Sequence, residues 1–189
     1  RDPFVVPLGA IQVDGVALEF NTDPAATKEE FVRNISVVMD FLEQEYKKVN
    51  PDLSIVIEPT ATFDKDYFMS LPEEARELGC EPDYSAYTGK ANEKPTTTKP
   101  FRTGSGHVHV GWGKFSPHSD EHFSVCMGMV RQLDALMFLS SLLWDDDKTR
   151  RELYGKIGAF RPKAYGVEYR PMSNRWLSKV SIQEFVFEA

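Results

Sequence analysis

The chain has 189 residues, of which 41% are hydrophobic and 27% charged, values typical of one globular domain with a substantial core. Lys and Arg number 22 against 29 Asp and Glu, and the resulting net charge of −7 argues against a general nucleic-acid binder. Cys80 and Cys126 are too few for a disulfide framework. No apolar run approaches the roughly 18 residues of a membrane span, and the N-terminus lacks the layout of a signal peptide. We therefore expect a cytoplasmic protein without a membrane partner.

Hydrophobic periodicity predicts a hairpin, a helix and a strand in the first third of the chain. Residues 10–21 hold two short apolar runs around an Asp-Gly dipeptide, which is typical of a hairpin. A capping box at Thr27 and Glu30 begins an amphipathic helix that we expect over 28–48. The run LSIVIE at 53–58 predicts a strand.

Further elements are predicted along the rest of the chain. In chain order they are a short helix around 71–78, a long loop over 79–106, a strand at 107–112, a helix from Asp120 to Leu143, a short basic helix and glycine-containing loop over 148–163, a strand at 165–171 and a final helix from about Ser173. The inward stripe of the long helix is expected to be Phe123, Met127, Val130, Leu133, Leu136, Met137 and Ser140. We interpret its methionines as core residues rather than a cofactor site. No repeat or linker is visible, so residues 1–189 are expected to form one α+β domain.

Three of the predicted strands carry the same alternation of polar and apolar side chains. Residues two apart in a strand share a face, and the polar pairs are Glu19 with Asn21, His107 with His109, and Glu168 with Arg170. If the three strands lie in one sheet, one face packs under helices and the other gathers carboxylates, imidazoles and a guanidinium. Such groups bind a divalent metal or a phosphate. The alternative is an ordinary solvent face of an antiparallel sheet.

Positive charge is concentrated in one segment. Residues 148–179 hold nine Lys or Arg against two acids, a net charge of +7 that leaves −14 for the remainder. The segment either holds an anion or is a solvated basic face. Its glycine-containing loop carries Lys156, Arg161 and Lys163, while Arg102, Gly104 and Gly106 precede the His-x-His strand and suit close approach to an anion. His118 and His122 have helical spacing but no companion acid, and we interpret them as surface residues.

Four blocks of the sequence resemble a known family. They are GAIQVDGVALEFNTDPA (9–25), GCEPDYSAYTG (79–89), FRTGSGHVHVGW (101–112) and LYGKIGAFRPKAYGVEYRPMSNRW (153–176). In this order they resemble the bacteriophage-associated carboxylate–amine (COOH–NH2) ligases, type 2, of the glutamine synthetase and γ-glutamylcysteine synthetase superfamily. The resemblance runs from about Gly9 to Trp176.

The resemblance implies a glutamine-synthetase-like catalytic domain, a curved antiparallel sheet with helices on its convex face. Its concave face would bind ATP and Mg²⁺ or Mn²⁺, and an acyl phosphate made from a carboxylate would be displaced by an amine. Carried over residue by residue, the metal ligands are Glu19, Glu168 and one or both of His107 and His109. The phosphate-binding residues are Arg170, Arg161, Lys156 and Arg102, with Gly104 and Gly106. Asp83, in the long loop, is expected to deprotonate the incoming ammonium.

The chain departs from the family pattern at one place. Members usually carry an earlier strand resembling G-x-D-P-E-F-F, and Arg1-Asp2-Pro3-Phe4 does not match it. We expect that strand to be removed or to come from a second chain, such as a copy in a homo-oligomer. The substrates would be small-molecule or peptide carboxylates and amines, and a phage-encoded enzyme would act in the host cytoplasm. The alternatives are a non-catalytic phage structural or binding protein, associated with the virion, and a metal-dependent hydrolase that uses the His pair.

Overall fold

The computed structural model describes residues 3–76, 83–93, 100–116 and 119–189. Its strands are β1 (Phe4–Val6), β2 (Gly9–Asp14), β3 (Ala17–Thr22), β4 (Thr60–Thr62), β5 (Tyr84–Ser85), β6 (Phe101–Thr103), β7 (Val108–Gly111), β8 (Ala159–Lys163) and β9 (Gly166–Tyr169). Its helices are α1 (Lys28–Val49), α2 (Lys65–Ser70), α3 (Glu73–Arg76), α4 (Asp120–Leu133), α5 (Leu139–Ser141), α6 (Lys148–Leu153) and α7 (Val180–Glu188). A π-helical turn, Asp134–Phe138, joins α4 to α5, and a 3₁₀ turn, Asn174–Ser178, precedes α7.

The strands form three antiparallel sheets. β1, β2 and β3 form a three-stranded sheet, β4 pairs with β6, and the third sheet has the order β5-β8-β9-β7. The prediction of a mixed helix and sheet protein with antiparallel strands is confirmed. The premise that all three polar strands share one sheet is wrong, because β3 lies in the three-stranded sheet while β7 and β9 are neighbours in the four-stranded one.

Local sequence signals explain the long helices. Thr27 caps α1 by accepting a hydrogen bond from the Glu30 amide, and Glu30 in turn accepts one from the Ala26 amide at 3.0 Å. Ser119 caps α4 in the same way through the His122 amide. The hairpin of β2 and β3 turns at Gly15, whose φ of +60° lies in the left-handed region that glycine adopts without strain.

The core lies between α4 and the four-stranded sheet. Val167 and Tyr169 of β9 and Phe160 of β8 pack there against Cys126 and Val130 of α4. The inward stripe of the helix is largely as predicted, but Leu136 is half exposed and Asp134 is buried in its place. Because the apolar residues of β8 and β9 take this face, their alternate residues are directed to the opposite face of the sheet.

Some predicted elements differ from the structure. The run 53–58 forms no strand, because none of the described strands pairs with it and several of its apolar side chains are exposed. The loop expected over 148–163 ends in strand β8, and 79–106 contains β5 and β6. Only Glu73–Arg76 of the helix expected at 71–78 is helical among the described residues, and the final helix begins at Val180 after the 3₁₀ turn. Residues 77–82, 94–99 and 117–118, with Cys80 and His118, lie outside the described residues.

One helical run, Asp120–Ser141, is long and apolar enough to cross a membrane when judged by length and composition alone. The expectation that no segment reaches this threshold was therefore wrong. The core helices of soluble proteins meet the same criterion, and this run supplies part of the core described above.

Candidate anion-binding site

The open face of the four-stranded sheet carries a row of charged and polar residues. The strand register places His109 of β7 opposite Glu168 of β9, and Glu168 opposite Arg161 of β8. Lys163 lies two residues along β8 on the same face, and Arg170 directly follows β9. The polar alternation noted in the sequence therefore corresponds to neighbouring side chains on one surface.

Glu168 is the centre of this arrangement, and only 4% of its side chain is exposed. Its carboxylate pairs with Lys163 Nζ at 2.9 Å and with Arg161 Nη1 at 3.3 Å. It also accepts a hydrogen bond from Arg170 Nη1, and its Oε1 lies 3.2 Å from His107 Nδ1. We call these five residues, Glu168, Arg161, Lys163, Arg170 and His107, the Glu168 cluster.

The segment around β5 closes one side of the cluster. Asp83 Oδ2 accepts a hydrogen bond from Arg170 Nε at 3.1 Å, while its Oδ1 accepts one from Asn92 Nδ2 at 2.9 Å. Arg170 is thus held between two carboxylates, with 5% of its side chain exposed. A guanidinium fixed in this way has a defined orientation.

Burial and the neighbouring charges set the protonation states. Burial lowers the pKa of His107 to about 4, so the ring is neutral at pH 7. Burial alone would raise the pKa of Glu168, but the contacts with His107, Lys163 and Arg161 lower it to about 2. His107 Nδ1 lies 3.2 Å from Glu168 Oε1 and 3.4 Å from Arg170 Nη1. In the tautomer that donates Nδ1–H to Glu168, Nε2 is an acceptor. That buried nitrogen has no hydrogen-bond partner within the described part of the chain.

Arg150 holds the backbone that follows Arg170. It is buried, and its guanidinium donates hydrogen bonds to the carbonyl oxygens of Pro171 and Met172, both at 2.7 Å, and to Ser105 Oγ at 3.1 Å. Burial lowers its pKa to about 10, so it stays charged at neutral pH. Arg150 therefore joins α6, the loop before β7 and the end of β9.

Tyr154 links Arg150 to the Glu168 cluster. The guanidiniums of Arg150 and Arg170 lie 5.6 and 5.3 Å from the centre of its ring, and the His107 ring lies 6.3 Å away. The sequence reasoning missed both Arg150 and Tyr154, because neither belongs to a polar alternation.

A buried carboxylate supports the cluster from behind. Asp134, in the π-helical turn, accepts hydrogen bonds from Tyr169 Oη at 2.8 Å and from Tyr87 Oη at 3.0 Å. Tyr169 stands between Glu168 and Arg170 in sequence, and Tyr87 belongs to the segment that carries Asp83. Burial raises the pKa of Asp134. Asp134 thus connects β9 and the segment that carries Asp83 to the π-helical turn after α4. This link between distant segments could not be predicted from the sequence.

His109, which lies opposite Glu168 in the strand register, contacts the β8–β9 turn. Its Nδ1 is hydrogen-bonded to Tyr165 Oη, and the two rings stack with centroids 6.0 Å apart. Burial lowers the pKa of His109. Tyr165 is partly exposed and borders the open face beside Lys163.

Several predicted site residues lie elsewhere. Glu19 is exposed in the three-stranded sheet, where it accepts a hydrogen bond from Gln12 at 2.7 Å. The Arg102 guanidinium lies beside the Gly15 turn of that sheet. Lys156 is exposed in the turn between α6 and β8.

Gly104 and Gly106 are closely packed against neighbouring residues. Their amide groups already donate to the carbonyl oxygens of Pro59 at 2.8 Å and Met172 at 3.0 Å. A Cβ on Gly106 would lie 2.2 Å from Trp176 Nε1, and one on Gly104 would lie 2.6 Å from a backbone oxygen. The phosphate-binding role of these glycines stays a prediction, and these contacts give it no support.

His122 is not a surface residue. It is buried, its Nε2 lies 2.9 Å from the Lys163 carbonyl oxygen and 3.2 Å from that of Gly166, and its ring stacks on Phe115. His122 thereby fixes the β8–β9 turn. Lys163, which that turn positions, belongs to the cluster and could have been found from its alternation with Arg161.

The donor set does not amount to a metal centre built by the protein alone. Across the residues that the structure describes, no group of three or more His, Cys, Asp or Glu side chains is arranged to hold a metal ion. Glu168 is surrounded by cations, and Glu19 lies in another sheet. Within the Glu168 cluster, the buried His107 Nε2 atom is a nitrogen that could ligate a metal. As it stands, the arrangement fits an anion better than a cation.

Comparison with known proteins identifies one related family. The family model described as phage phiEco32-like COOH.NH2 ligase-type 2 matches residues 94–189, slightly more than half of the chain. The matched region contains β6 to β9, and with them every residue of the Glu168 cluster. No curated protein and no solved structure matches the chain significantly.

Proposed function

The chain belongs to the phage phiEco32-like COOH.NH2 ligase type 2 family, and from this membership we propose that it joins a carboxylate to an amine at the expense of ATP. The observation that carries the proposal is the Glu168 cluster, which presents two arginines and a lysine on the open face of an antiparallel sheet. We also propose that this sheet and its helices form a glutamine-synthetase-like catalytic domain.

The proposed reaction has two steps. A carboxylate oxygen of the first substrate attacks the γ-phosphorus of ATP, the bond to the β-phosphate oxygen breaks, and ADP leaves with an acyl phosphate formed. The amine nitrogen then attacks the acyl carbon, the carbon–oxygen bond breaks, and inorganic phosphate leaves as the amide forms. Phosphorylation is needed because the oxygen of a free carboxylate is a poor leaving group.

The cluster residues have separate roles in this scheme. Phosphoryl transfer depends mainly on positioning and on neutralising oxygen charge, and Arg161, Lys163 and Arg170 supply fixed cations for it. Arg170 is oriented by Asp83, which we propose as the acceptor of the proton lost by the ammonium substrate. Tyr154 and Tyr165 border the cluster and limit the access of water, which would otherwise hydrolyse the acyl phosphate.

Mg²⁺ or Mn²⁺ remains part of the proposal as an ion that accompanies ATP. Mg²⁺ is commonly bound by one or two carboxylates together with substrate phosphates rather than by a cage of protein ligands. Glu168 and His107 Nε2 are the groups of this chain that would hold it, and it would neutralise phosphate charge. The proposed substrates are small-molecule or peptide carboxylates and amines, used in the host cytoplasm.

A hydroxamate assay tests the proposed activity. The protein is incubated with ATP, Mg²⁺, a panel of amino-acid and peptide carboxylates, and hydroxylamine, which traps an acyl phosphate as a hydroxamate. We expect hydroxamate and ADP in equal amounts, and loss of both in Arg170→Gln. ADP release without hydroxamate would indicate a hydrolase. Absence of turnover with every carboxylate would favour the non-catalytic binding protein.

A further inference from the structure

The most informative feature of the site is that its glutamate is already occupied. Glu168 Oε1 is contacted by His107, Arg161 and Arg170, and Oε2 by Arg161 and Lys163. A carboxylate offers about four lone-pair positions, so these contacts use them nearly completely. With 4% of the side chain exposed, little of the carboxylate remains open to an arriving ion.

A divalent cation has an unfavourable path to this carboxylate. It would have to enter among three positive side chains that all contact the same group, and like charges at such distances repel strongly in a poorly hydrated site. It would also have to replace ion pairs whose partners would then be buried without a counter-charge. The arrangement therefore resists a metal that arrives alone.

A polyphosphate has the opposite relation to the same residues. Arginine and lysine bind phosphate oxygens as well as they bind carboxylates, and a polyphosphate offers many more oxygens than Glu168. Arg161 and Lys163, which are 19% and 29% exposed, are the cations that an entering anion reaches first. When they turn to phosphate, the Glu168 carboxylate loses these partners and becomes available together with His107 Nε2.

We infer that Glu168 is the internal counter-anion of its cluster, and that a polyphosphate binds without metal and displaces it before any divalent ion can bind. The inference rests on the proposed function only in placing the phosphates of ATP at the Glu168 cluster. It differs from the expectation that Glu168 binds a metal ion before ATP arrives, because here the bound nucleotide would create the metal site. Binding would then be ordered, with the anion first.

Calorimetric titration with inorganic tripolyphosphate in EDTA tests the first half of the inference. We expect the wild-type protein to bind it without metal. Glu168→Gln should bind it about tenfold more tightly, because the internal competitor has lost its charge. Glu152→Gln is the matched control, since Glu152 is an exposed acid of the same basic segment outside the cluster. Its affinity should equal that of wild type. Equal or weaker binding by Glu168→Gln than by wild type overturns the inference.

Electron paramagnetic resonance of Mn²⁺ tests the second half with the wild-type protein, so a folding defect in the variant cannot obscure the result. We expect no binding of Mn²⁺ alone at millimolar concentration. Once tripolyphosphate is present, we expect one protein-bound Mn²⁺ per chain, with a spectrum that differs from that of the Mn²⁺–tripolyphosphate complex without protein. Stoichiometric Mn²⁺ binding without phosphate overturns the inference. Neither measurement requires catalysis. A confirmed binding order with no hydroxamate formed would refute the ligase proposal alone, and hydroxamate formation with metal binding first would refute the order alone.

Discussion

Two antiparallel sheets of this molecule carry the same polar alternation but have different surroundings. In the four-stranded sheet, Glu168 is buried beneath three cations and an imidazole on a surface that α4 supports from behind. In the three-stranded sheet, Glu19 is exposed and its carboxylate accepts a hydrogen bond from Gln12, the residue opposite it on β2. Neighbouring strands explain the difference, because β8 supplies Arg161 and Lys163 while β2 supplies no cation opposite Glu19.

Sequence alternation and strand order carry different information about the two sheets. Alternation decides which side chains share a face, but strand order decides which of them meet. A carboxylate on a polar strand becomes chemically unusual only where adjacent strands place charges beside it and the packing excludes water. Matched substitutions, one in each sheet, can therefore test whether activity depends on only one of the two sheets.

Loss of the cluster arginine should have the largest effect. Arg170→Gln removes a guanidinium held by both Asp83 and Glu168, and we expect ATP turnover to fall about 10²–10³-fold, as when a fixed donor for developing charge is removed. The measurement is the rate of amine-dependent ADP release at saturating ATP.

The parallel variant in the three-stranded sheet is Glu19→Gln. Since Glu19 contacts Gln12 rather than the cluster, we expect a change of less than about threefold in the same rate. A loss as large as that of Arg170→Gln would show that both sheets act on one substrate and that the site is not confined to the four-stranded sheet.

The buried carboxylate behind the site should dominate stability. Asp134→Ala leaves the hydroxyl groups of Tyr169 and Tyr87 without their acceptor, and we expect the free energy of unfolding to fall by about 3 kcal/mol. Gln12→Ala, which removes the exposed hydrogen bond to Glu19, should lower it by less than about 0.5 kcal/mol. Urea unfolding followed by circular dichroism measures both. Comparable losses in the free energy of unfolding would mean that the hydrogen bonds of Asp134 and of Gln12 contribute equally to stability.

Acid should destabilise the fold in a window set by His107. Its pKa is lowered from 6.5 to about 4 in the folded protein, so the unfolded chain takes up the proton first and stability falls as the pH drops from 6.5 to 4. The loss should be about 2 kcal/mol, less than the full shift because 24% of the ring is exposed. Unfolding free energies of wild type and His107→Gln across this range measure it, and the variant should lack this decline.

A second acid window belongs to Glu168. Its pKa is lowered from 4.5 to about 2, so the stability that its ion pairs provide is lost only below pH 4.5. His107→Gln should keep only the part of this lower window that the contacts of Glu168 with Lys163 and Arg161 provide. If the unfolding free energies of His107→Gln and wild type fall equally between pH 6.5 and 4, groups other than His107 cause the decline in that range.

The smallest effect should come from the helices that cover the two sheets. A Cβ on Gly128 of α4 would meet no atom within 4 Å, so Gly128→Ala should raise the free energy of unfolding by about 0.5–1 kcal/mol through helix propensity. Ser36→Ala at an exposed position of α1 should raise it by less than about 0.5 kcal/mol. Thermal unfolding of the two variants measures the difference, and destabilisation by Gly128→Ala would indicate that this helix face is covered in solution.

Local signals in the sequence predicted the elements with strong caps and clear periods. The capping box at Thr27 and the hairpin turn at Gly15 depend only on residues a few positions apart, and both are present. The run 53–58 has the composition of a strand but lacks a partner, and pairing is a property of the whole fold. Pro162 obscured β8, although Arg161 and Lys163 show the same alternation as the other polar pairs.

The candidate site could be predicted only in part for the same reason. The alternation placed His107, Glu168 and Arg170 on one face, and the structure brings them into contact. The contribution of Asp134 and Arg150 depends on contacts between segments far apart in the chain, which no local pattern records. Gly104 and Gly106 resembled an anion loop, but their amides are used by Pro59 and Met172.

The location of the phosphate site can be tested most directly by the binding of a non-hydrolysable ATP analogue. Calorimetry should compare wild type with the double variant Arg161→Gln, Lys163→Gln and with Lys179→Gln, which removes an exposed cation of the same basic segment. We expect the double variant to bind at least about 30-fold more weakly, since two charge-assisted contacts to phosphate are lost, and Lys179→Gln to bind like wild type. Unchanged affinity in the double variant, or an equal loss in Lys179→Gln, would contradict the placement of ATP on the Glu168 cluster.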